Sequence, residues 1–148
     1  MNYNKPFNLL KSLPKKLNQF YKKNKKYALK VKNKSKNKKN YDPVTNQDKA
    51  FEKFIRDIIV KQFPEDAILG EEFLEKFSYN DYKWYIDPID GTRAFMIGAP
   101  TWSNLIGFTY KDQSILGLAN FPTLNKFYIN DQKKSYLIDN KKNILLTS

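Results

Sequence analysis

Two carboxylates three positions apart, Asp87 and Asp90, stand in the string Asp87-Pro88-Ile89-Asp90-Gly91-Thr92. The apolar and aromatic residues before them, Tyr82 to Ile86, read as a strand, so both acids leave a sheet at the strand's C-terminal exit. Pro88 fixes its φ near about −65° and removes a backbone donor, which stiffens the turn. Gly91 lets the backbone bend or approach a ligand closely. Carboxylates that converge on one point repel unless one takes up a proton or a cation lies between them. Glu71 follows a second short strand, Ala67–Gly70, and adds a third acid. An all-oxygen site for Mg²⁺ is the chemistry that such a set supports.

A purely structural account of the same residues exists. Asp90-Gly91-Thr92 can be a tight turn or a helix N-cap, with Asp87 solvated at a strand end. Asp48 can be the third-position acid of a capping box opened by Thr45, and Glu71 a surface acid beside Glu72. Only the joint occurrence of these residues favours chemistry. The 148 residues contain neither Cys nor His. That excludes a cysteine phosphatase, a phosphohistidine mechanism, a Ser-His-Asp triad and a His-ligated zinc site. Carboxylates, hydroxyls, Lys, Arg, Tyr and bound hard cations remain.

The elements that must position these acids are legible in part. Phe51, Phe54, Ile55, Ile58, Ile59 and Phe63 follow helical spacing, and Thr45 as N-cap with Asp48 at N3 marks the start of that helix. Pro64 stops it. After Asp90 the pattern predicts a helical turn near 93–97, then strands over 102–110 and 114–121 joined by a hairpin at Lys111-Asp112-Gln113. Strands at 126–129 and 135–138 continue the meander, so the fold class is α+β. Toward the N-terminus, Phe7 to Tyr21 has helical spacing that Pro14 is expected to kink or break. Residues 27–31 suggest a short strand, and Lys32 to Asn40 a solvated, mobile linker.

Length predicts one domain, and there is no run of the roughly 18 apolar residues that a membrane span needs. No secretory signal is evident, and the lack of Cys fits a reducing cytoplasm. Charge divides the chain. Residues 1–41 hold fourteen Lys and no acid, giving +14, whereas residues 42–148 hold thirteen Lys plus Arg against fifteen Asp plus Glu, giving −2. A basic leader over 1–41, with a first helix, is therefore expected ahead of a slightly acidic body over 42–148. Such a leader is either a solvated tail or, in an alternative non-enzymatic reading, a binder of nucleic acid or an anionic surface.

Three segments carry a resemblance. Asp42-Pro43-Val44-Thr45-Asn46-Gln47-Asp48, Ile68-Leu69-Gly70-Glu71-Glu72 and Trp84-Tyr85-Ile86-Asp87-Pro88-Ile89-Asp90-Gly91-Thr92 resemble, in order and spacing, the inositol monophosphatase family. The resemblance implies a lithium-sensitive-type, Mg²⁺-dependent phosphatase with layers of helix and sheet, acting on a small phosphorylated metabolite. It implies that Glu71, Asp87 and the Ile89 carbonyl bind one metal, and that Asp87 and Asp90 share a second. Thr92, paired with Asp48, would orient and help deprotonate the attacking water. The Gly91 and Thr92 amides would hold the substrate phosphate. A homodimer is the assembly the family suggests. Haloacid dehalogenase-type phosphatases also show Asp-Gly-Thr, but their nucleophilic Asp lies two residues earlier, where this chain has Pro88.

Arg93-Ala94-Phe95 and Gly98 to Gly107 look most like the histidinol-phosphate phosphatase branch, ahead of inositol monophosphate and 3′(2′),5′-bisphosphate nucleotide enzymes. The simpler account is that Trp102, Leu105 and Ile106 pack a strand core. Nothing in the chain matches the family's C-terminal α/β part, with its Trp-Asp-type motif and further metal-binding Asp. The expectation is therefore an N-terminal helix and antiparallel-sheet portion, weakly active or inactive alone, with an exposed apolar sheet face.

Overall fold

The computed structural model describes residues 3–35, 43–139 and 142–146. Asp42 of the first motif and residues 36–40 of the expected linker lie outside the described residues. Helix α1 (Asn4–Asn24) is followed by β1 (Val31–Asn33), β2 (Pro43–Thr45) and α2 (Asn46–Gln62). Then come β3 (Ala67–Gly70), β4 (Tyr82–Asp90), the one-turn helix α3 (Thr92–Met96) and β5 (Ser103–Tyr110). Strands β6 (Gln113–Phe121), β7 (Lys126–Asn130), β8 (Ser135–Asp139) and β9 (Lys142–Leu146) complete the described chain.

Strands β3 to β9 form one seven-stranded sheet in sequence order. Every pairing in it is antiparallel except β3 with β4, which is parallel and so requires the long 71–81 connection. Both long helices lie on one face, α2 against β4 and α1 against β6 and β7. This is the expected α+β arrangement. Strand alternation sends Trp84, Ile106, Phe108, Leu116 and Leu118 to the helices, where they meet Phe51, Ile55 and Ile59 from α2.

Helix α1 runs through Pro14 without interruption, which corrects the expected break. An interior proline costs a helix about 3 kcal/mol. Against that, Leu9, Leu10, Leu13 and Leu17 are all at most 2% exposed, and burying each stabilises by roughly 1.5–3 kcal/mol. Tertiary packing therefore outweighs the local penalty. The expected strand at 27–31 is displaced as well. Val31, Lys32 and Asn33 instead pair with Thr45, Val44 and Pro43, so the start of the expected linker is one strand of a small antiparallel pair. Strand β9, an exposed edge strand, has no counterpart in the sequence reading.

Among the described residues no helix covers the second face of the sheet. Tyr85, Leu105, Gly107, Gly117, Ala119 and Tyr128 line a concavity of about 890 Å³ that reaches Glu71 and Asp87 at one end. An exposed apolar sheet face was expected, and this is where it lies.

Candidate metal and phosphate site

Strand β3 ends at Gly70, which pairs with Ile86 in parallel register. Glu71 and Asp87 are the next residues, so the two acids stand side by side where β3 ends and β4 continues. Strand β4 then bulges. Asp87 pairs with Leu105 and Asp90 with Ser103, three steps on β4 against two on β5. A residue without an N–H favours such an irregularity, and Pro88 occupies it. The bulge leaves Asp87 half-buried, Pro88 and Ile89 buried and Asp90 exposed. Gly91 follows at φ 82°, ψ 42°, the left-handed region where a side chain would be strained, and it turns the chain into α3.

Asp48 arrives from the first turn of α2. Its Oδ2 accepts from the Thr45 amide at 2.7 Å and from the Thr45 hydroxyl, and the Thr45 side chain caps the helix in return. The capping-box account of Asp48 is thus correct. It is also incomplete, because Asp48 Oδ1 accepts from Thr92 Oγ1 at 3.3 Å across the fold. Thr92 Oγ1 lies 3.1 Å from the Ile89 carbonyl as well. Asp90 Oδ2 accepts from Ser103 Oγ at 3.3 Å. Glu71 Oε2 lies 3.7 Å from Lys34 Nζ, which also pairs with Glu72.

Asp87 differs from these three. Its Oδ1 is buried and, among the described residues, has no hydrogen-bond partner. Burial pushes the Asp87 carboxyl up to about 7, aided by the charges of Glu71, Asp90 and Asp48, while the Ile89 backbone amide pulls the other way. Four acids from three elements therefore share one field. Among the described residues no three acidic side chains are drawn into a ready-made metal cage. Each of the other three acids instead meets a donor of its own. Pro43, Glu71, Asp87, Ile89, Asp90, Gly91, Thr92 and Arg93 line a cavity of about 320 Å³ between them. An orphaned carboxylate oxygen in a set of oxygen donors is the environment a hard divalent cation fits.

Sequence reasoning missed the residues that hold this site in place. Asn104, fully buried on β5, donates to the Pro88 carbonyl at 2.7 Å. Its Oδ1 accepts from Asn120 Nδ2 at 2.9 Å, and Asn120 Nδ2 reaches Asn18 Oδ1 on α1 at 3.1 Å. The signal was available, since Asn104 and Asn120 interrupt the apolar alternation of β5 and β6 on the core-facing side. Of the residues that suggested the histidinol-phosphate branch, Trp102 and Ile106 do pack the core. Trp102 meets Phe95, Phe51 and Tyr21 edge-on at 4.9, 5.9 and 5.0 Å between ring centres. Leu105 does not; it faces the open concavity beside Asp87.

Helices on one face of a mostly antiparallel sheet, with acids from three elements at one end, define the N-terminal layer of the sugar-phosphatase type of α+β fold. A profile of the inositol monophosphatase family matches residues 8–145, and the chain belongs to that family. It is 43% identical over 91 residues to a histidinol-phosphatase of Chlorobaculum parvum, covering 62% of this chain and 35% of the relative. It is 34% identical over 87 residues to a fructose-1,6-bisphosphatase/inositol-1-monophosphatase of Aquifex aeolicus, covering 59% and 33%. A solved IMPase of Thermotoga maritima superposes with a TM-score of 0.75 at 29% identity, covering 94% of this chain and 52% of that one. The chain thus spans about a third of the length of these curated relatives and about half of the solved one.

Proposed function

We propose that this chain carries the metal- and phosphate-binding part of a Mg²⁺-dependent phosphomonoesterase, with histidinol phosphate as the favoured substrate. The observation that carries the reading is the unpartnered, buried Asp87 Oδ1 among Glu71, Asp90 and Asp48. Glu71, Asp87 and the Ile89 carbonyl would hold one cation, and Asp87 with Asp90 a second. A cation there supplies neutralisation of phosphate charge and a lowered pKa for the attacking water. Thr92 Oγ1, already bonded to Asp48, would orient that water and pass its proton toward the Asp48 carboxylate. The Gly91 and Thr92 amides would receive the phosphate oxygens. Histidinol phosphate is favoured over inositol monophosphate and over a 3′(2′),5′-bisphosphate nucleotide by the Arg93 to Gly107 string and by the name of the Chlorobaculum relative.

Calorimetric titration with Mg²⁺ should give binding in the unaltered chain that disappears in Asp87→Asn and in Asp90→Asn. Phosphate release by the chain alone should be weak, and among the three candidate substrates should rank histidinol phosphate first. Unchanged Mg²⁺ binding in both variants would overturn the assignment of the site, and a different ranking would overturn the choice of substrate. The lysines of α1 favour no second reading. Leu9, Leu10, Leu13 and Leu17 make α1 part of the core, so its lysines are the solvent side of a structural helix.

A further inference from the structure

Glu52 is fully buried on α2, on the same face as Phe51, Ile55 and Ile59. A carboxylate there is costly to desolvate, and even a well-paired buried ion is commonly no more stabilising than an apolar residue of similar volume. Its contacts indicate a use other than stability. Oε2 accepts from the Glu72 amide at 2.7 Å, and Oε1 accepts from the Phe73 amide at 3.3 Å and from Arg56 Nε at 2.8 Å. Arg56 in turn donates to the Phe73 carbonyl at 3.3 Å and lies over the Phe73 ring, 5.9 Å from its centre. On the other side of Glu71, a Cβ on Gly70 would stand 2.2 Å from Glu52 Oε1. The carboxylate is the end of a flexible side chain, but it can yield only by giving up those bonds.

We infer that Glu52 is a positioning residue for Glu71. It holds the backbone on either side of Glu71, against the bare Cα of Gly70 and through the amides of Glu72 and Phe73, and so keeps the Glu71 carboxylate at the cavity it shares with Asp87. Glu52 does not itself face the cavity beside Asp87. The inference rests on the reading of Glu71 as a metal-binding residue.

The test is Mg²⁺ affinity by calorimetry, with near-UV circular dichroism and metal-free melting to confirm folding. Glu52→Gln keeps the shape and removes the charge and one acceptor. It should weaken Mg²⁺ binding about tenfold or more, the scale seen when groups supporting a metal-binding residue are lost. The same substitution made on a Glu71→Gln background should cost nothing further, which a merely structural role would not produce. Gly70→Ala, which displaces the carboxylate from outside, should repeat both results and stands in if Glu52→Gln does not fold. Full Mg²⁺ affinity in Glu52→Gln, or equal losses with and without Glu71, would overturn the inference while Asp87→Asn still abolished binding. If Asp87→Asn left binding intact, the metal-site reading would fail and this inference with it.

Discussion

Removing the charge of Asp87 should stabilise the metal-free protein at alkaline pH. The unfolded chain titrates this carboxyl near its ordinary 3.8, whereas in the fold it is raised to about 7. Between those values the native state keeps a proton that the unfolded state has released. Stability from this group is therefore fully present below pH ~4 and is lost as the pH rises to about 7. At about 1.4 kcal/mol for each tenfold change in proton affinity, the rise from 3.8 to about 7 sets a ceiling of about 4 kcal/mol. Asp87 is only half-buried, and solvent screening reduces that to about 1–2 kcal/mol. For a chain of this size the equivalent change in melting temperature is roughly 3–8 °C.

The experiment is a series of calorimetric melts from pH 4.5 to 8 in chelator, with the unaltered chain and Asp87→Asn side by side. The two should lie closest at pH 4.5 and move apart by pH 8, with the Asn variant higher. Adding Mg²⁺ at pH 8 should reverse the order, because only Asp87 can use the cation. Parallel profiles, or an unaltered chain that gains stability between pH 5 and 8 relative to the variant, would refute the argument.

Other consequences are open to measurement. Because a proton competes for Asp87, the apparent Mg²⁺ affinity should fall about tenfold per pH unit below pH ~7, which calorimetry in a pH series reads directly. Leu13→Ala should lower stability by about 2–5 kcal/mol in urea denaturation, since it opens a cavity where α1 meets the sheet. Asn104→Ala leaves the Pro88 carbonyl and an Asn120 donor without their bonds, and should cost about 1–3 kcal/mol in the same assay. Thr92→Ala should remove whatever phosphate release the chain shows while leaving calorimetric Mg²⁺ affinity close to that of the unaltered chain, because the hydroxyl bonded to Asp48 is assigned to the water and not to either cation.

Local signals carried the reading where local physics decides the structure. The capping box at Thr45, the apolar stripe of α2 and the hairpin at Lys111 each depend on neighbours in sequence, and each lies where expected. Pro14 misled because its penalty is local while the leucines that outweigh it act through α2 and the sheet. Glu52 was concealed inside the stripe. It falls four residues after Asp48 and three before Ile55, on the apolar face, with Arg56 one turn on. An acid in that position with a cation at i+4 was itself a sign of a buried, employed carboxylate. Strand β9 offered little to read, since its side chains are almost all exposed and nothing in the core requires them.

The distribution of partners among the acids explains why one of them dominates the chemistry. Asp48 is satisfied by Thr45 and Thr92, Asp90 by Ser103, and Glu71 by the nearby ammonium of Lys34. Those contacts tie three carboxylates to β2 and α3, to β5 and to Lys34 just after β1. The shortage of positive charge is thereby concentrated on a single oxygen of Asp87, on a strand that Asn104 holds through the Pro88 carbonyl. A site built this way works against the fold until a cation arrives, so stability and metal affinity must respond to Asp87 with opposite sign. An acid that merely ended a strand or capped a turn would couple to neither.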